Sequence, residues 1–202
     1  MNKTLEYYNA NADKFVSGTV GVEFTEIQDR FLAYLKDGAK LLDFGCGSGR
    51  DTKYFLDKGF DVDAMDGSEN LCQIASEYAG IKVQNKLFQD LNEINYYEGI
   101  WACSSILHLD KKDLEQVFKL IEKALKPFGI LYTSFKYGEF SGERNGRFFT
   151  DFTEESFKEF LDKFPGFEIK ELWITGDVRP GRGDEKWLNV IIEKDTKQKD
   201  KK

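Results

Sequence analysis

The stretch that decides the fold reads Leu41-Leu42-Asp43-Phe44-Gly45-Cys46-Gly47-Ser48-Gly49-Arg50-Asp51. Leu41 and Leu42 are typical of the end of a buried strand, and the three glycines permit a turn too tight for side chains. Ser48 and Asp51 stand three residues apart and resemble a capping box that opens a helix. A strand, a glycine turn and a helix N-terminus together present backbone N–H groups to an anionic ligand.

Two residues in this stretch argue against a dinucleotide as the ligand. The dinucleotide fingerprint is G-x-G-x-x-G/A, and the last position here is Arg50. Asp43, two residues before the first glycine, adds a negative charge that we expect to face the same crevice. That charge repels a pyrophosphate and attracts a ligand that carries an ammonium or a sulfonium. The pattern therefore favours S-adenosylmethionine over NAD.

Composition indicates one ordinary α/β domain without metal. The chain has 202 residues, is 41% hydrophobic and has a net charge of −7, which gives no general attraction to nucleic-acid phosphates. The three cysteines and the single histidine have no metal-ligand spacing. The odd number of cysteines indicates a reducing compartment. The first residues contain no apolar run, and no segment approaches the ~18 apolar residues of a membrane span. We expect a soluble, cytoplasmic protein.

Strands and helices alternate after two amphipathic helices predicted at 4–16 and 23–36. The predicted strands are 39–44, 60–65, 81–88, 99–103, 129–136, 167–175 and 186–193. The predicted helices are 49–58, 69–79, 111–125 and 153–163, with a long polar loop at 137–151. This order predicts a doubly wound, mostly parallel α/β sheet whose last two strands pair antiparallel. We expect a single domain over 1–194, made of a helical lid (1–36) and a Rossmann-like core (39–194), and a disordered tail over 195–202.

The ordered motifs carry a resemblance to a known family. The pattern Asp-x-Gly-x-Gly-x-Gly at 43–49 resembles the cofactor motif of class I S-adenosylmethionine-dependent methyltransferases, and the seven-stranded arrangement extends the likeness from about residue 7 to 192. Small bacterial methyltransferases of the tellurite-resistance and quinone-biosynthesis type are the most similar subfamilies. The resemblance implies a seven-stranded sheet with helices on both faces, S-adenosylmethionine as cofactor, and methyl transfer to an acceptor.

Candidate cofactor contacts follow the ends of the predicted strands. Asp66 ends the second strand, where a carboxylate accepts both ribose hydroxyls, although a turn or helix-cap role is the alternative. The resemblance implies that Asp90 and Leu91 hold the adenine, and the alternative is that they form an ordinary polar turn. It also implies that Tyr8 lies on a helix folded over the cofactor, and the alternative is that this helix only packs on the sheet. The expected cofactor-binding residues are Tyr8, Asp43, Gly45, Cys46, Gly47, Arg50, Asp66, Gly67, Ser68, Asp90, Leu91, Cys103 and Ser104.

Arginines near the same edge indicate an anionic small-molecule acceptor. We expect Arg147, with Arg144 and Arg179, to fix its anionic group, while Phe148 covers its apolar part and Tyr137 orients it. The alternative is that these arginines pair with nearby carboxylates. His108 follows the fourth strand as a candidate general base, although its apolar neighbours also fit a packing role.

Other functions stay open at this stage. An NAD-dependent oxidoreductase is disfavoured by Arg50 and Asp43. A non-catalytic protein that binds S-adenosylmethionine or S-adenosylhomocysteine has the same sequence signals. A nucleic-acid or modified-base methyltransferase is also possible, although Ser104-Ser105-Ile106-Leu107 stands where an Asn-Pro-Pro-Tyr-type segment is expected. We expect a small-molecule substrate and neither membrane nor duplex nucleic acid as partner.

Overall fold

The computed structural model describes residues 3–179 and 181–195, which follow the predicted alternation. The strands are β1 (Lys40–Phe44), β2 (Asp61–Asp66), β3 (Gln84–Asn85), β4 (Tyr97–Ala102), β5 (Leu125–Lys136), β6 (Ser141–Arg144), β7 (Arg147–Thr150), β8 (Phe167–Gly176) and β9 (Lys186–Lys194). The helices are α1 (Lys3–Ala10), α2 (Ala12–Ser17), α3 (Thr25–Leu32), α4 (Arg50–Asp57), α5 (Glu69–Ala79), α6 (Lys111–Ala124) and α7 (Glu154–Leu161). The predicted tail, 195–202, lies outside the described residues except for Asp195, as do the first two residues of the predicted lid. Among the described residues, no helix combines the length and apolar character needed to span a membrane.

Seven strands form the main sheet in the order β3-β2-β1-β4-β5-β9-β8. β1 pairs in parallel with both β2 and β4, whereas β9 is antiparallel to β5 and to β8. The predicted fold class is therefore confirmed. Because the strand order reverses between β1 and β4, a crevice opens at the carboxyl ends of these two strands, where open α/β sheets bind ligands.

The side chains of the central strands alternate between two apolar layers. Leu41 and Trp101 pack with α3 and α4 on one face of the sheet. Leu42 and Ile100 pack with α6 and α7 on the other face. Both faces are therefore covered by helices, which is why these strands read as nearly continuous apolar runs.

The structure differs from several of the predicted elements, and the predicted helix 23–36 ends early, at Leu32. The strand predicted at 81–88 is only the two-residue β3, and the predicted loop 137–151 contains the antiparallel hairpin β6–β7. The predicted helix 111–125 ends one residue early, and the chain enters β5 directly at Leu125. The predicted helix 4–16 is divided at Asn11, whose side-chain amide donates to the Tyr7 carbonyl at 2.8 Å and competes with regular helical bonding.

Candidate functional site

The glycine turn after β1 requires its glycines for both conformation and space. Gly45, Gly47 and Gly49 have φ angles of +88°, +54° and +78°, which side chains disfavour. A Cβ atom on Gly45 would lie 2.5 Å from the Ser105 Cβ. Gly45, Cys46 and Gly47 all line one cavity of about 760 Å³ at the carboxyl ends of the parallel strands.

The start of α4 differs from the predicted capping box. Gly49 is the N-cap residue, and no side chain caps the helix. Asp51 points inward instead, where its carboxylate accepts hydrogen bonds from Gln28 Nε2 at 2.7 Å, Trp101 Nε1 at 2.8 Å and the Arg50 guanidinium. Asp51 therefore ties α3, α4 and β4 together beneath the glycine turn. The capping prediction for Ser48 and Asp51 is wrong because the buried tryptophan and glutamine are better placed to bind the Asp51 carboxylate.

Asp43 lies beneath the turn and does not line the cavity. It is 2% exposed, and its carboxyl accepts a 2.5 Å hydrogen bond from Thr52 Oγ1. Burial, together with the nearby Asp51 carboxylate, raises the pKa of Asp43 well above its ordinary value. The expectation that Asp43 faces the crevice as a full negative charge is therefore wrong.

Asp66 lies at the mouth of the turn and lines the cavity with Gly67. Its two carboxylate oxygens accept from the backbone N–H of Gly47 at 3.0 Å and of Ser68 at 2.8 Å. Burial raises the pKa of Asp66, while these amides oppose that rise. The Gly67 N–H also acts on this carboxylate. Because an ionised carboxylate has about four acceptor sites, Asp66 keeps capacity for a further donor. The side chain of Ser68 is not at the cavity: it caps α5 and donates to Asn9 Oδ1 at 2.7 Å.

The segment after β3 places different residues at the cavity from those predicted. Asp90 closes a 3₁₀ turn by accepting from the Leu87 backbone N–H at 2.9 Å, and Leu91 is buried in the core. Neither residue lines the cavity. Leu87, Phe88 and Gln89 do so instead, because the turn rotates the chain before Asp90 is reached.

Residues at the end of β4 form the floor of the cavity. Cys103 and Ser104 both line it, and the Ser104 N–H donates to Ser134 Oγ at 2.9 Å, with Ser104 held at a φ of +52°. Burial raises the pKa of the Cys103 thiol to about 12, so this cysteine is a poor nucleophile. Arg50 also lines the cavity, with its guanidinium paired to Asp51 and lying over the Phe24 ring at 4.4 Å.

The helices α1 and α2 cover the glycine turn. A Cβ on Gly47 would lie 3.0 Å from the Phe15 ring, and the Tyr8 and Phe15 rings are 5.2 Å apart. On its other side α1 contacts the hairpin, where the Phe148 N–H donates to Thr4 Oγ1 at 3.0 Å. Tyr8 and Phe15 both line the cavity, so this segment is one of its walls.

His108 is fixed at both ring nitrogens. Nδ1 lies 2.7 Å from the Phe148 carbonyl oxygen, and Nε2 lies 2.8 Å from the Tyr8 hydroxyl. Since a carbonyl only accepts, we assign the proton to Nδ1, and Nε2 then accepts from the Tyr8 hydroxyl. Burial lowers the pKa of His108 to about 4, which keeps the imidazole neutral near pH 7.

Replacing His108 with asparagine is expected to reduce the loss of stability in mild acid. The unfolded chain takes up a proton at His108 near pH 6.5, whereas the folded chain resists until about pH 4. The neutral His108 therefore favours the folded state above pH 6.5. This contribution to the free energy of unfolding, up to about 3 kcal/mol, is lost as the pH falls from 6.5 to about 4. Urea unfolding of both proteins from pH 7 to pH 4 measures this difference. Equal pH dependence of the two proteins would contradict the buried, neutral histidine.

The arginines predicted for the acceptor differ in their partners. Arg144 is bound to Asp151, and Arg179 is bound to the buried Asp177. Arg147 has no carboxylate partner of this kind among the described residues, although its Nη1 donates to the Tyr8 hydroxyl at 3.3 Å. All three line the cavity, as does Tyr137. The alternative that nearby carboxylates pair with the arginines therefore holds for Arg144 and Arg179.

Phe148 is turned away from the cavity, and Phe149 lines it instead. Successive side chains of a strand point to opposite sides, so Arg147 and Phe149 share one side of β7 and Phe148 occupies the other. Ser134, Thr175 and Asn189 also line the cavity, although the sequence did not single them out. Ser134 and Lys136 both line the cavity, because residues two apart lie on the same side of β5.

Comparisons with known proteins agree with this geometry. Residues 41–129 match a family model described as a methyltransferase domain. Over 119 residues the chain is 34% identical to the "Putative methyltransferase YqeM" of Bacillus subtilis, with 53% of this chain and 48% of that protein covered. Over 141 residues it is also 34% identical to phosphoethanolamine N-methyltransferase 3 of Arabidopsis thaliana, with 65% and 28% covered. The chain thus spans about half or less of the length of these curated relatives.

A solved structure shares nearly the whole fold. It is the 1,6-didemethyltoxoflavin-N1-methyltransferase of Burkholderia thailandensis, with a TM-score of 0.76 at 21% identity, covering 95% of this chain and 85% of that one. The region that the family model matches contains the glycine turn, Asp66 and the end of β4. Residues 41–129 thus match a methyltransferase domain, and nearly the whole chain shares the fold of a solved methyltransferase structure.

Proposed function

We propose that the protein transfers a methyl group from S-adenosylmethionine to a small-molecule acceptor. The observation that carries this proposal is the continuity of one cavity of about 760 Å³ from the glycine turn and Asp66 to His108 and Arg147. That volume lies within the range of about 300–1,000 Å³ that is typical of small-molecule sites. The relatives, which include proteins named as phosphoethanolamine and didemethyltoxoflavin methyltransferases, support an acceptor of this size.

The residues present fit this cofactor. Gly45 and Gly47 leave room for a close approach to the backbone, and Asp66 keeps acceptor capacity for a ribose hydroxyl. Gly67 also lines the cavity, and a Cβ there would meet the flexible end of the Leu5 side chain of α1 at 2.7 Å. We assign the ribose to Asp66, the adenine to the wall formed by residues 87–89, and the amino-acid part to the space between the turn and Cys103.

When bound, S-adenosylmethionine supplies a methyl group on a positively charged sulfur, so the chain has mainly to align the acceptor and exclude water. Tyr8 and Phe15 cover the turn and keep water from it. The Nε2 atom of His108 accepts a hydrogen bond from the Tyr8 hydroxyl. These two residues together are our candidate for receiving a proton that the acceptor releases. Because burial lowers the pKa of His108, its imidazole is neutral near pH 7 and Nε2 keeps a lone pair.

We also propose a reducing, cytoplasmic location. The three cysteines are all free, and two of them are buried.

Replacing Asp66 with alanine is expected to weaken binding of S-adenosylhomocysteine by about 1.5–3 kcal/mol, the range for hydrogen bonds to charged groups. Isothermal titration calorimetry measures the affinity. Asp63→Ala is the matched control, because Asp63 lies on the same strand but pairs with Lys40, and it should bind like the wild type. Unchanged affinity in the Asp66 variant would remove this residue from the cofactor site.

A further inference from the structure

Arg147 is a cation at the cavity that has no carboxylate partner in the described part of the chain. Its Nη1 donates to the Tyr8 hydroxyl at 3.3 Å, and its Nε is buried without any hydrogen-bond acceptor. No carboxylate of the described residues lies within 4.0 Å of its guanidinium. Burying a charged donor without an acceptor is unfavourable, so this arrangement favours a ligand that supplies one.

The other guanidinium groups along the cavity each have a carboxylate within 4.0 Å. Their partners are Asp51 for Arg50, Asp151 for Arg144, Asp177 for Arg179 and Glu185 for Arg182. Lys136 is bound to both Asp177 and Glu185. Among the arginines that line the described part of the cavity, Arg147 alone has no carboxylate within 4.0 Å.

Aromatic rings surround this guanidinium and hold it in place. Its central carbon lies 4.6 Å from the centre of the Tyr7 ring, 5.7 Å from that of Tyr8 and 5.1 Å from that of Phe149. These cation–π contacts stabilise the charge, but they provide no oxygen for its N–H groups. The surrounding rings also exclude water, which strengthens the attraction between the guanidinium and an anion.

The position of Arg147 relates it to the acceptor. Arg147 begins β7, in the hairpin that follows β5. Its guanidinium donates to the Tyr8 hydroxyl, and the same hydroxyl is hydrogen-bonded to His108 Nε2. We propose that Arg147 binds a carboxylate or phosphate group of the methyl acceptor. This inference rests on the proposed function and names the class of acceptor: a small molecule with an acidic group. The planar fork of arginine suits either anion.

The test uses the full chain, its complex with S-adenosylhomocysteine, and inorganic phosphate as the probe. Phosphate is titrated into the complex at constant ionic strength by calorimetry. Saturable phosphate binding is expected, and Arg147→Gln should weaken it about tenfold or more. Arg182→Gln is the matched control, because it removes the same charge from the cavity rim where Glu185 already pairs with it. Absence of phosphate binding, or equal binding by the Arg147 variant, would overturn the inference.

A second arm separates the acceptor from the cofactor, since S-adenosylhomocysteine has a carboxylate of its own. Affinities for S-adenosylhomocysteine and for 5′-methylthioadenosine, which lacks the amino-acid part, are measured in the wild type and in Arg147→Gln. The inference predicts that the variant binds both like the wild type. If the variant binds only S-adenosylhomocysteine more weakly, Arg147 holds the cofactor carboxylate and the inference is wrong. Failure of the wild type to bind S-adenosylhomocysteine would instead contradict the proposed function itself.

Discussion

Replacing Gly47 with valine is expected to abolish binding of S-adenosylhomocysteine while the sheet stays folded. Gly47 has a φ of +54°, where a β-branched residue is strained by at least ~1–2 kcal/mol. Its new Cβ would meet the Phe15 ring at 3.0 Å, and the valine methyl groups would occupy the cavity that the turn lines. Calorimetry gives the affinity, and far-ultraviolet circular dichroism checks the fold.

Gly59→Val is the matched control for the Gly47 variant. Gly59 also has a positive φ, of +87°, but it follows α4, and a Cβ added there would meet no atom of the other described residues within 4 Å, its chain neighbours aside. It should show comparable backbone strain and normal binding of S-adenosylhomocysteine. Normal binding by the Gly47 variant would show that no ligand approaches the turn at this residue.

Replacing Asp51 with alanine is expected to cost about 3–5 kcal/mol of the free energy of unfolding, the range for breaking a buried ion pair. Asp51 is 7% exposed, and its removal leaves the Arg50 guanidinium, the Trp101 N–H and the Gln28 amide without their acceptor. These groups belong to α3, α4 and β4, so the loss affects the support of the whole glycine turn. Urea unfolding at pH 7 measures the change.

Asp57→Ala provides the comparison for the Asp51 variant. Asp57 lies on the same helix, but its ion pair with Lys53 is at the surface, where such pairs contribute about 0–1 kcal/mol. If Asp51→Ala were no more destabilising than Asp57→Ala, the buried hydrogen-bond network would not support the turn.

The sheet was predictable because its central strands are buried on both faces. β1 and β4 are short apolar runs, and Gly59 and Gly80 end the helices that follow the first two strands. The sequence was less informative at the edge of the sheet. β3 has one neighbour and only two paired residues, so its length depends on tertiary contacts that local patterning does not encode.

The hairpin β6–β7 had a signal in the sequence that the loop prediction overlooked. Asn145 and Gly146 both adopt positive φ angles, of +52° and +76°, and Asn-Gly is the typical pair for a two-residue hairpin turn. A loop prediction for residues 137–151 does not use the rule that successive side chains of a strand point to opposite sides. That is why Phe148, rather than Phe149, was assigned to the acceptor.

Within the candidate site, the residues that line the cavity were easier to predict than the hydrogen-bond and ion-pair partners of each side chain. Asp66 and Arg147 both line the cavity, as their places after strands indicated. Long-range partners decided the rest: Thr52 binds Asp43, Trp101 binds Asp51, and Asp177 binds Arg179. Such contacts depend on how the elements pack, and a single sequence does not show which of several carboxylates each donor meets.

The most direct test of the central claim is a calorimetric titration of the full chain with S-adenosylhomocysteine and, separately, with NAD. The glycine turn, Asp66 and Arg50 predict one molecule of S-adenosylhomocysteine bound per chain and no binding of NAD. Binding of NAD without binding of S-adenosylhomocysteine, or binding of neither, would contradict the assignment of this cavity to a methyltransferase cofactor.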